Sequence, residues 1–563
     1  MNLGGNKMYL QRYENWKNYS LLEDNLRDEL DTLSSKEIED SFYKDLEFGT
    51  GGLRAKLGVG TNRLNIYTIR KNTEGYARWL LNQGYDSFNR GVVIAYDNRH
   101  MSKEFALESA KVLATHKIKS YLFTSLRPTP ELSFAIRYLN AFGGIVITAS
   151  HNPKEYNGYK IYDETGCQCV LRYTDEIIKE INKIENSLGV VVANDVETKP
   201  YIYFIDNDVD EAYYNEILKI QLNPELKKDN LKIVFSPQHG TANVPVREVL
   251  KRAGYYVIPV ESQCIPDPDF SNTKDPNPEN VISFEEGLKV AKSNKADCII
   301  CTDPDCDRLG VMIRHNDEYI ALTGNQTGAI LLQYIIEQRM KNKTLPNNSI
   351  VYNTIVTSSL GDFICQKHHI HVEKTLTGFK FIGDKIHDIE INKKYSFLFG
   401  YEESYGYLIS DCVRDKDGVQ SCLLISEVIN YYKQSGQTLI DVLDQIYEEY
   451  GHFFDLQRSI KMEGKDGIEK INKIMNNFRY GEFNRIGNLK IIAKEDYKLG
   501  IRTSDTGKEL LTLPKSNVIK LFLDDNSWVA IRPSGTEPKI KFYLFSKKQS
   551  LINDLEEIIY AIE

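Results

Sequence analysis

The pattern of hydrophobic and polar positions from Gly91 onward predicts strands and helices in alternation. The apolar run GVVIAYD has the character of a buried strand, and the next segment, KEFALESAKVLATH, has apolar residues at a spacing near 3.6. The strand-like SYLFT, the helical ELSFAIRYL and the apolar GGIVI follow in that order. A β-α-β-α-β order is typical of a parallel sheet covered by helices.

This alternation returns twice further along the chain. It begins again at LKIVFSPQHG and ends at ADCIICT, and it returns from GNQTGAILLQYIIEQRM through SIVYNTIV to YSFLFGYEESYGY. After about Gly451 the strands WVAIRP and KIKFYLFS precede the helix SLINDLEEIIYAIE. The sequence therefore predicts an α/β fold of three consecutive mixed α/β sheet domains plus a C-terminal α+β domain, with bounds at 1–210, 211–323, 324–452 and 453–563.

Length, composition and charge narrow the class of protein. A chain of 563 residues agrees with three to four domains at roughly 150 residues each, and a 41% hydrophobic fraction favours a folded protein. The formal net charge is -9, so no overall basic field exists to attract nucleic acid or an anionic membrane. No apolar run of about 18 residues and no signal-peptide pattern occurs. We expect a cytoplasmic protein with neither nucleic acid nor membrane as a partner.

The nine cysteines favour reduced thiols over a disulfide framework, because several of them lie in apolar stretches. Cys298 and Cys301, with Cys306, have part of the spacing of a zinc site. However, no second cysteine pair or histidine pair completes four ligands. Cys167 and Cys169 are a weaker candidate still.

Four polar loops follow apolar strands, and in open α/β sheets the chemistry collects where loops leave the carboxyl ends of strands. The first, TASHNPKEYNGYKIY at 148–162, presents Ser150. Neighbouring residues on an extended chain point in opposite directions, so Ser150 and His151 are not expected to form a nucleophile and base pair. Lys160 can fold back toward Ser150, and a lysine held near cations or a metal can serve as acid or base. A plain surface turn is the alternative.

The second loop, TDPDCDRLG at 302–310, carries three alternating carboxylates. Asp303, Asp305 and Asp307 can face one cation, and their hard oxygens suit Mg²⁺. Arg308 alone cannot neutralise three charges, so the triplet favours a metal site over a solvated acidic turn.

The third loop, GYEESYGY at 400–407, offers carboxylates and a hydroxyl suited to sugar hydroxyls at Glu402, Glu403 and Ser404. Its three tyrosines offer aromatic faces. An acidic cap at a helix N-terminus is the alternative interpretation.

The fourth loop, RPSGTEPKIK at 532–541, combines the features of a phosphate cradle. Arg532 supplies a fork of donors, Ser534 and Thr536 supply hydroxyls, and Gly535 lets backbone N–H groups approach an anion. A bare turn between two strands is the alternative.

Together, TASHNP, DPDCDR, GYEES and RPSGT resemble the ordered motifs of the α-D-phosphohexomutase superfamily, the phosphoglucomutases and phosphomannomutases, over nearly the whole chain. The resemblance implies four domains around a central cleft. In chain order they would bear the phosphoserine, bind the metal, recognise the sugar and bind the substrate phosphate. EFGTGGLR and GYEESYGY look most like the branch with longer phosphoglucomutases and phosphopentomutases.

The resemblance implies a catalytic and metal-binding set in the first two of these domains. Ser150 would be phosphorylated, and it would hold Mg²⁺ together with Asp303, Asp305 and Asp307. Lys160 matches the family's general acid/base lysine. The glycine-rich FGTGGLR places Arg54 where the family has an active-site arginine.

The resemblance also implies a substrate-binding set. Arg308 matches the arginine that closes the metal motif. Glu402 and Ser404 would read sugar hydroxyls. The substrate phosphate would be gripped by Arg532, Ser534, Gly535 and Thr536.

Two departures from the family pattern affect the expectation. Cys306 stands where a small Gly or Ala is usual, which suggests redox sensitivity. TGFK at 377–380, and Tyr405 with Gly406, replace histidine-containing segments of phosphomannomutases, which disfavours mannose use.

The function implied is that of a magnesium-dependent isomerase of glucose metabolism. Such an enzyme interconverts glucose 1-phosphate and glucose 6-phosphate, with glucose 1,6-bisphosphate as activator and intermediate. Phosphomannomutase or phosphopentomutase activity is the first alternative. A metal-dependent sugar phosphatase with Asp303 or Asp305 as nucleophile, and a non-catalytic sugar-phosphate sensor, are the others. We expect hexose or pentose monophosphates as partners, and a monomer or small homo-oligomer.

Overall fold

The structure is a computed structural model. It describes residues 5–49, 51–462, 464–481, 483–533 and 539–562, with the side chains of all of these except 5–7, 464–466, 561 and 562. The chain forms two compact units. The first comprises the residues up to Gly324 together with Phe379–Thr438, and the second comprises Asn325–Gly378 together with the residues from Leu439 onward.

The N-terminal segment forms three short helices around an aromatic core. Trp16 packs edge-on against Phe42 and Tyr67, with ring centroids 5.9 and 5.4 Å apart. Such edge-to-face contacts add to the stabilisation from burial. The helices are α1 (Gly5–Lys17), α2 (Asp24–Thr32) and α3 (Ser35–Phe42).

The next part of the first unit is a six-stranded sheet that carries the Ser150 loop. Its elements are β1 (Gly52–Lys56), α4 (Ile66–Gln83), α5 (Tyr85–Arg90), β2 (Val92–Tyr96), α6 (Ser102–Thr115), β3 (Ser120–Phe123), α7 (Thr129–Tyr138), β4 (Gly143–Ile147), β5 (Tyr156–Asp163), α8 (Leu171–Asn182), α9 (Asp195–Thr198), β6 (Ile202–Ile205) and α10 (Asn207–Leu218). The strand order is β1-β5-β4-β2-β3-β6.

The predicted parallel strands form the centre of this sheet. Strands β4, β2, β3 and β6 pair in parallel, and β2 and β4 are buried along their whole length. Strands β5 and β1 add an antiparallel pair that the β-α-β pattern did not predict. The sheet is therefore mixed, and its antiparallel edge carries Arg54 and Lys160.

A second mixed sheet carries the aspartate loop. Its elements are β7 (Ile233–Ser236), α11 (Asn243–Arg252), β8 (Val257–Pro259), α12 (Glu285–Asn294), β9 (Cys298–Thr302), β10 (Leu309–His315) and β11 (Glu318–Leu322). The order is β11-β10-β9-β7-β8, with β7 parallel to β8 and β9, and β10 antiparallel to β9 and β11. The Asp303 loop leaves β9, whose five residues are all buried.

The third predicted α/β segment is present, and its residues belong to both compact units. Its elements are α13 (Gly324–Lys341), β12 (Ser349–Thr354), α14 (Leu360–Lys367), β13 (His371–Thr375), α15 (Phe379–Asn392), β14 (Ser396–Glu402), β15 (Gly406–Leu408), α16 (Gly418–Gln434) and α17 (Leu439–Tyr450). Strands β12 and β13 pair in parallel within the second unit. In the first unit, β14 and β15 form an antiparallel hairpin.

The C-terminal part is an antiparallel sheet with two helices, as the α+β pattern predicted. Its elements are β16 (Phe454–Lys461), α18 (Gly464–Tyr480), β17 (Arg485–Ile486), β18 (Leu489–Asp496), β19 (Ile501–Ser504), β20 (Gly507–Leu510), β21 (Ile519–Leu523), β22 (Trp528–Pro533), β23 (Lys539–Ser546) and α19 (Leu551–Ile562). The order is β16-β23-β22-β21-β18-β19-β20, with β17 beside β18. Among the described residues, no helix combines the length and the apolar character needed to span a bilayer.

Candidate active site

Ser150 lies at the carboxyl end of β4 and is bonded directly to the aspartate loop. Its Oγ donates to Asp303 Oδ2 at 2.8 Å, and its backbone N–H donates to Thr148 Oγ1 at 2.8 Å. The serine is 1% exposed and has φ +52°, in the left-handed region that non-glycine residues rarely adopt. Its hydroxyl is therefore held beside the predicted metal ligands.

The expectation that Ser150 and His151 point apart was wrong. Ser150 Oγ lies 3.1 Å from His151 Nδ1. The expectation assumed extended backbone, whereas the left-handed φ of Ser150 turns the two side chains toward each other. His151 is therefore a direct neighbour of the Ser150 hydroxyl.

Arg99, which lies in none of the four predicted loops, supports the backbone of the serine loop. Its Nη2 donates to Ser150 O at 2.6 Å and also to Asn152 O. Its Nη1 donates to Pro153 O at 2.8 Å and Tyr156 O at 2.9 Å. One planar guanidinium thus satisfies four carbonyl groups and fixes the loop that carries Ser150.

Arg99 is itself held by a buried carboxylate. Its Nε lies 3.3 Å from Asp97 Oδ2, and both side chains are fully buried. Burial lowers the pKa of Arg99, and Asp97 opposes that shift. Both residues follow the buried apolar strand β2 directly. Polar residues at that position are the sequence feature from which they could have been predicted as part of the site.

The three aspartates converge as predicted. One oxygen of each lies within 4.8 Å of the others, and the three side chains are buried. They form the sole cluster of at least three potential ligands from His, Cys, Asp or Glu in the part of the chain that the structure describes. Among these residues, neither Cys298 with Cys301 nor Cys167 with Cys169 builds the alternative zinc site.

Each aspartate of the cluster uses particular oxygens to contact the protein. Asp303 Oδ1 accepts the backbone N–H groups of Asp307 and Arg308, at 3.1 and 3.0 Å. Asp305 Oδ2 accepts from Lys160 Nζ at 3.2 Å and from Thr129 Oγ1 at 3.1 Å.

The remaining oxygens fit a divalent cation. Asp307 Oδ2 accepts from Lys416 Nζ at 2.5 Å. Oδ1 of Asp305 and Oδ1 of Asp307 are buried without a hydrogen-bond partner among the described residues. Since buried carboxylate oxygens normally have a donor or a cation, this donor set fits Mg²⁺.

The pKa values of Asp303 and Asp305 are shifted in opposite directions by their surroundings. Burial, with Asp307 and Asp305 close by, raises the pKa of Asp303. Burial also opposes the ionisation of Asp305, but Lys160 and the hydrogen bond from Asp303 outweigh it and lower the pKa of Asp305. A divalent cation would supply the positive charge that the cluster needs.

Lys160 and Arg54 lie on the antiparallel edge of the first sheet. Lys160 pairs in register with Gly52 and Val146 and is 6% exposed. Arg54 is opposite Gly158, and its Nη1 donates to Asn152 Oδ1 at 3.2 Å. Both predicted residues therefore lie beside the serine loop. The antiparallel pairing of β1 with β5, and of β5 with β4, holds them there.

Gly158 is needed for this close approach. A Cβ there would lie 2.4 Å from Thr148 O and 2.8 Å from Leu53 O, distances that real Cβ atoms do not show. A larger residue would push the strand that carries Arg54 away from the serine loop.

Arg308 and Lys416 bring further positive charge to Asp307. Arg308 pairs with Glu279, and its Nε lies 3.8 Å from Asp307 Oδ1. Burial alone would lower the pKa of both cations. Glu279 and Asp307 outweigh burial and raise the pKa of Arg308, and Asp307 does the same for Lys416. Lys416 was missed because it lies 109 residues from its partner.

The loop at 400–407, predicted to recognise the sugar, contains the turn of the β14–β15 hairpin, so the interpretation as a helix cap was wrong. Glu402 ends β14, is 5% exposed, and raises the pKa of both Arg308 and Lys416. Ser404 lies in the turn and is half-buried. Tyr401 and Tyr407 are fully buried, so they stabilise the hairpin and do not offer aromatic faces to a ligand.

Cys306, the unusual residue of the aspartate motif, lies in a buried turn of the loop. It has φ +55° and is fully buried, and its backbone N–H donates to Asp303 O at 3.0 Å. Burial raises the pKa of its thiol, which keeps it in the less reactive protonated form. This argues against the expected redox sensitivity.

The predicted phosphate cradle belongs to the second unit. Arg532 lies in β22 opposite Lys541 of β23, and it is half-buried. Ser534, Gly535 and Thr536 lie outside the described residues. Their role in binding phosphate remains a prediction.

The structure places a buried serine against a carboxylate cluster that fits Mg²⁺, with lysine and arginine around it, and this arrangement fits a phosphotransferase site. Models of all four domains of the phosphoglucomutase/phosphomannomutase family match the chain. The α/β/α domains I, II and III match residues 45–188, 211–316 and 323–450, and the C-terminal domain matches 460–562. The chain belongs to this family, and it is a mutase, an intramolecular phosphotransferase.

Similar proteins agree with this assignment. A phosphoglucomutase from Staphylococcus epidermidis is 39% identical over 536 residues, which cover 94% of this chain and 96% of the relative. Pp63/parafusin, a phosphoglucomutase from Paramecium, shares the fold with TM-score 0.65 at 18% identity, covering 92% of this chain and 95% of that one. A phosphoglucomutase/phosphomannomutase family protein from Burkholderia thailandensis has TM-score 0.63 at 16% identity, covering 91% and 96%. The predicted family, fold class and enzyme class are confirmed.

Proposed function

We propose that this chain interconverts glucose 1-phosphate and glucose 6-phosphate by exchanging a phosphoryl group between Ser150 and the sugar. The observation that carries the proposal is the 2.8 Å contact between Ser150 Oγ and Asp303 Oδ2, inside a carboxylate cluster that fits Mg²⁺. The phosphoglucomutase relatives at 39% identity support glucose phosphates as substrates.

The reaction has two transfers in opposite directions. In the first, the free hydroxyl of a bound glucose monophosphate attacks the phosphorus of phospho-Ser150, the P–Oγ bond breaks, and a P–O bond to the sugar forms. The hydroxyl proton passes to a general base, and the departing Ser150 Oγ takes up a proton. The glucose 1,6-bisphosphate then reorients, Ser150 Oγ gives up its proton and attacks the other phosphorus, the P–O bond to the sugar breaks, and the departing sugar oxygen takes up a proton.

Lys160 is our candidate for the proton transfer. Its Nζ lies 3.2 Å from Asp305 Oδ2, and Asp305 lies beside Asp303, which holds the Ser150 hydroxyl. A buried lysine bonded to this carboxylate cluster is placed to exchange a proton with a hydroxyl bound there. Thr129 holds the same oxygen of Asp305, which fixes the carboxylate that Lys160 faces.

The negative charge of a phosphorylated Ser150 would be neutralised by the cations around it. A phosphoserine carries about -1.5 to -2 charge at neutral pH. Mg²⁺ bound by Asp303, Asp305, Asp307 and the Ser150 phosphate would neutralise charge that develops during transfer. Arg54, which contacts the serine loop through Asn152, would add a further positive charge.

The other two motifs, the loops at 400–407 and 532–541, would bind the sugar hydroxyls and the phosphate that is not reacting. Glu402 and Ser404 would accept and donate hydrogen bonds to sugar hydroxyls. Arg532 with residues 534–536 would grip the phosphate that is not reacting, so that its binding energy orients the other end.

The alternatives have less support. A phosphatase that used Asp303 as nucleophile would first have to free a carboxylate whose Oδ1 accepts two backbone N–H groups and whose Oδ2 accepts the Ser150 hydroxyl. A non-catalytic sensor would have no need of Ser150 beside the aspartate cluster. Mannose and pentose phosphates stay open as substrates. A monomer or small homo-oligomer in the cytoplasm is the expected setting.

A coupled assay tests the proposal. Purified protein with Mg²⁺ and trace glucose 1,6-bisphosphate should convert glucose 1-phosphate to glucose 6-phosphate, detected by glucose 6-phosphate dehydrogenase. Mannose 1-phosphate and ribose 1-phosphate are tested in parallel by chromatography, and Ser150→Ala is the control. Release of inorganic phosphate without isomerisation would overturn the mutase assignment.

A further inference from the structure

The loop that follows β7, Pro237–Thr241, has an unusual backbone. Gln238 and His239 are consecutive non-glycine residues in the left-handed region, with φ of +48° and +62°. Each such residue carries a conformational cost, and such conformations persist where surrounding contacts enforce them. Both side chains are buried, so the contacts they make identify what the loop supports.

One side of this loop supports the aspartate motif. Thr241 donates to Pro304 O twice, from its backbone N–H at 2.8 Å and from its Oγ1 at 3.0 Å. A Cβ at Gly240 would lie 2.5 Å from both Cα and O of Pro304. Pro304 stands between Asp303 and Asp305, so the loop packs directly against the backbone of the metal-binding motif.

The imidazole of His239 spans a second segment of chain, residues 265–272. Its Nδ1 lies 2.8 Å from Ile265 O, a carbonyl that can only accept, so Nδ1 carries the proton. The backbone N–H of Asn272 donates to Nε2 at 3.3 Å. His239 therefore holds both ends of the 265–272 segment with one donor and one acceptor, which fixes a single neutral tautomer.

The middle of the 265–272 segment lies against the residues that hold the serine loop. Asp267 O accepts from Asn98 Nδ2 at 2.9 Å. The ring of Phe270, which is 5% exposed, stacks 5.2 Å from the guanidinium of Arg99. Arg99 in turn donates to Ser150 O. A continuous set of contacts thus runs from His239 to the backbone of Ser150.

We propose that His239 is a positioning residue for phosphoryl transfer. It acts on the Ser150 loop through the 265–272 segment, and its own loop supports Pro304 in the metal motif. These two connections set the distance between the serine hydroxyl and the aspartate cluster. The proposal rests on the proposed mutase function, because that function gives this distance its importance.

Two variants at His239 test the proposal. His239→Leu removes both hydrogen bonds at similar volume. His239→Asn keeps a donor near the position of Nδ1, and asparagine tolerates a positive φ. We expect kcat of His239→Leu to fall about 10- to 100-fold, since displacing reacting groups by about 1 Å can cost 10²-fold. His239→Asn should recover most of that loss.

The substrate-binding groups are elsewhere, so KM should stay within about threefold of wild type in both variants. The rate at which glucose 1,6-bisphosphate phosphorylates Ser150 in a single turnover should fall by the same factor as kcat. The matched control is His116→Gln, because His116 pairs with Glu74 at 2.6 Å and neither residue belongs to this set of contacts. Its kcat and phosphorylation rate should equal those of wild type.

A third variant keeps the test decisive if His239→Leu does not fold. Asn98→Ala removes the contact at Asp267 O and should lower kcat in the same direction by a smaller factor. Combined with His239→Asn, its effect should be non-additive, since both act through one segment. Wild-type kcat in Asn98→Ala, or a loss in the His239 variants that lies entirely in KM, would overturn the positioning role. A wild-type protein without mutase turnover would instead overturn the proposed function itself.

Discussion

Replacing Arg99 with lysine should slow phosphoryl transfer by about two orders of magnitude while the protein stays folded. Arg99 donates to four carbonyls of the serine loop, those of Ser150, Asn152, Pro153 and Tyr156. A lysine ammonium keeps the positive charge in this buried site but cannot reach all four oxygens. Losing two of these bonds at about 1.5 kcal/mol each removes about 3 kcal/mol from the ordered loop. If that energy is needed to hold Ser150 in line, kcat falls roughly 10²-fold.

A more severe replacement separates the two roles of Arg99. Arg99→Met also leaves Asp97 buried without its cation, which costs about 3–5 kcal/mol. This variant should therefore unfold at a clearly lower temperature than Arg99→Lys, which keeps a cation beside Asp97.

The assay measures kcat and KM for glucose 1-phosphate by coupled spectrophotometry, with thermal unfolding as the check on folding. Arg70→Lys is the matched control, since Arg70 pairs with Glu108 at 2.5 Å and does not contact the serine loop. The reasoning is refuted if Arg99→Lys keeps kcat within about twofold of wild type, which is a change of roughly 0.4 kcal/mol.

The other motifs give three further predictions. EDTA should abolish turnover and Mg²⁺ should restore it, because two buried aspartate oxygens accept no hydrogen bond from the described residues; full activity in chelator would contradict the metal site. Glu402→Gln should impair glucose phosphates and deoxy-sugar phosphates unequally in a comparison of kcat/KM, and equal losses would remove its role in reading hydroxyls. Arg532→Ala should raise KM about 10- to 100-fold through loss of a charge-assisted contact to phosphate, and an unchanged KM would reduce its loop to a simple turn.

Local sequence patterns predicted most of the fold because each signal lies within a few residues. Apolar runs such as GGIVI and ADCII became the buried strands β4 and β9, and the polar residues directly after them became the serine and aspartate loops. The antiparallel edge formed by β1 and β5 was not predicted. Its register depends on residues about 100 positions apart, and an alternation pattern carries no information on such pairing.

The supporting residues of the site were missed for a related reason. Arg99 lies 51 residues from Ser150, and Lys416 lies 109 residues from Asp307, so no motif spacing connects them. The contact between Ser150 and His151 was misjudged because it depends on a left-handed backbone at a non-glycine residue. Tertiary contacts enforce that conformation, and local propensity does not reveal it.

The identity of the phosphorylated residue tests the central claim most directly. Wild-type protein and Ser150→Ala would be incubated with glucose 1,6-bisphosphate and Mg²⁺, and tryptic peptides would be mapped by mass spectrometry. The proposed mechanism predicts one phosphoryl group on Ser150 of the wild type. Excess glucose 6-phosphate should remove it, and the Ser150→Ala protein should lack it together with mutase turnover. Near-normal turnover in Ser150→Ala, or a turnover-competent phosphoryl group on another residue, would contradict the account.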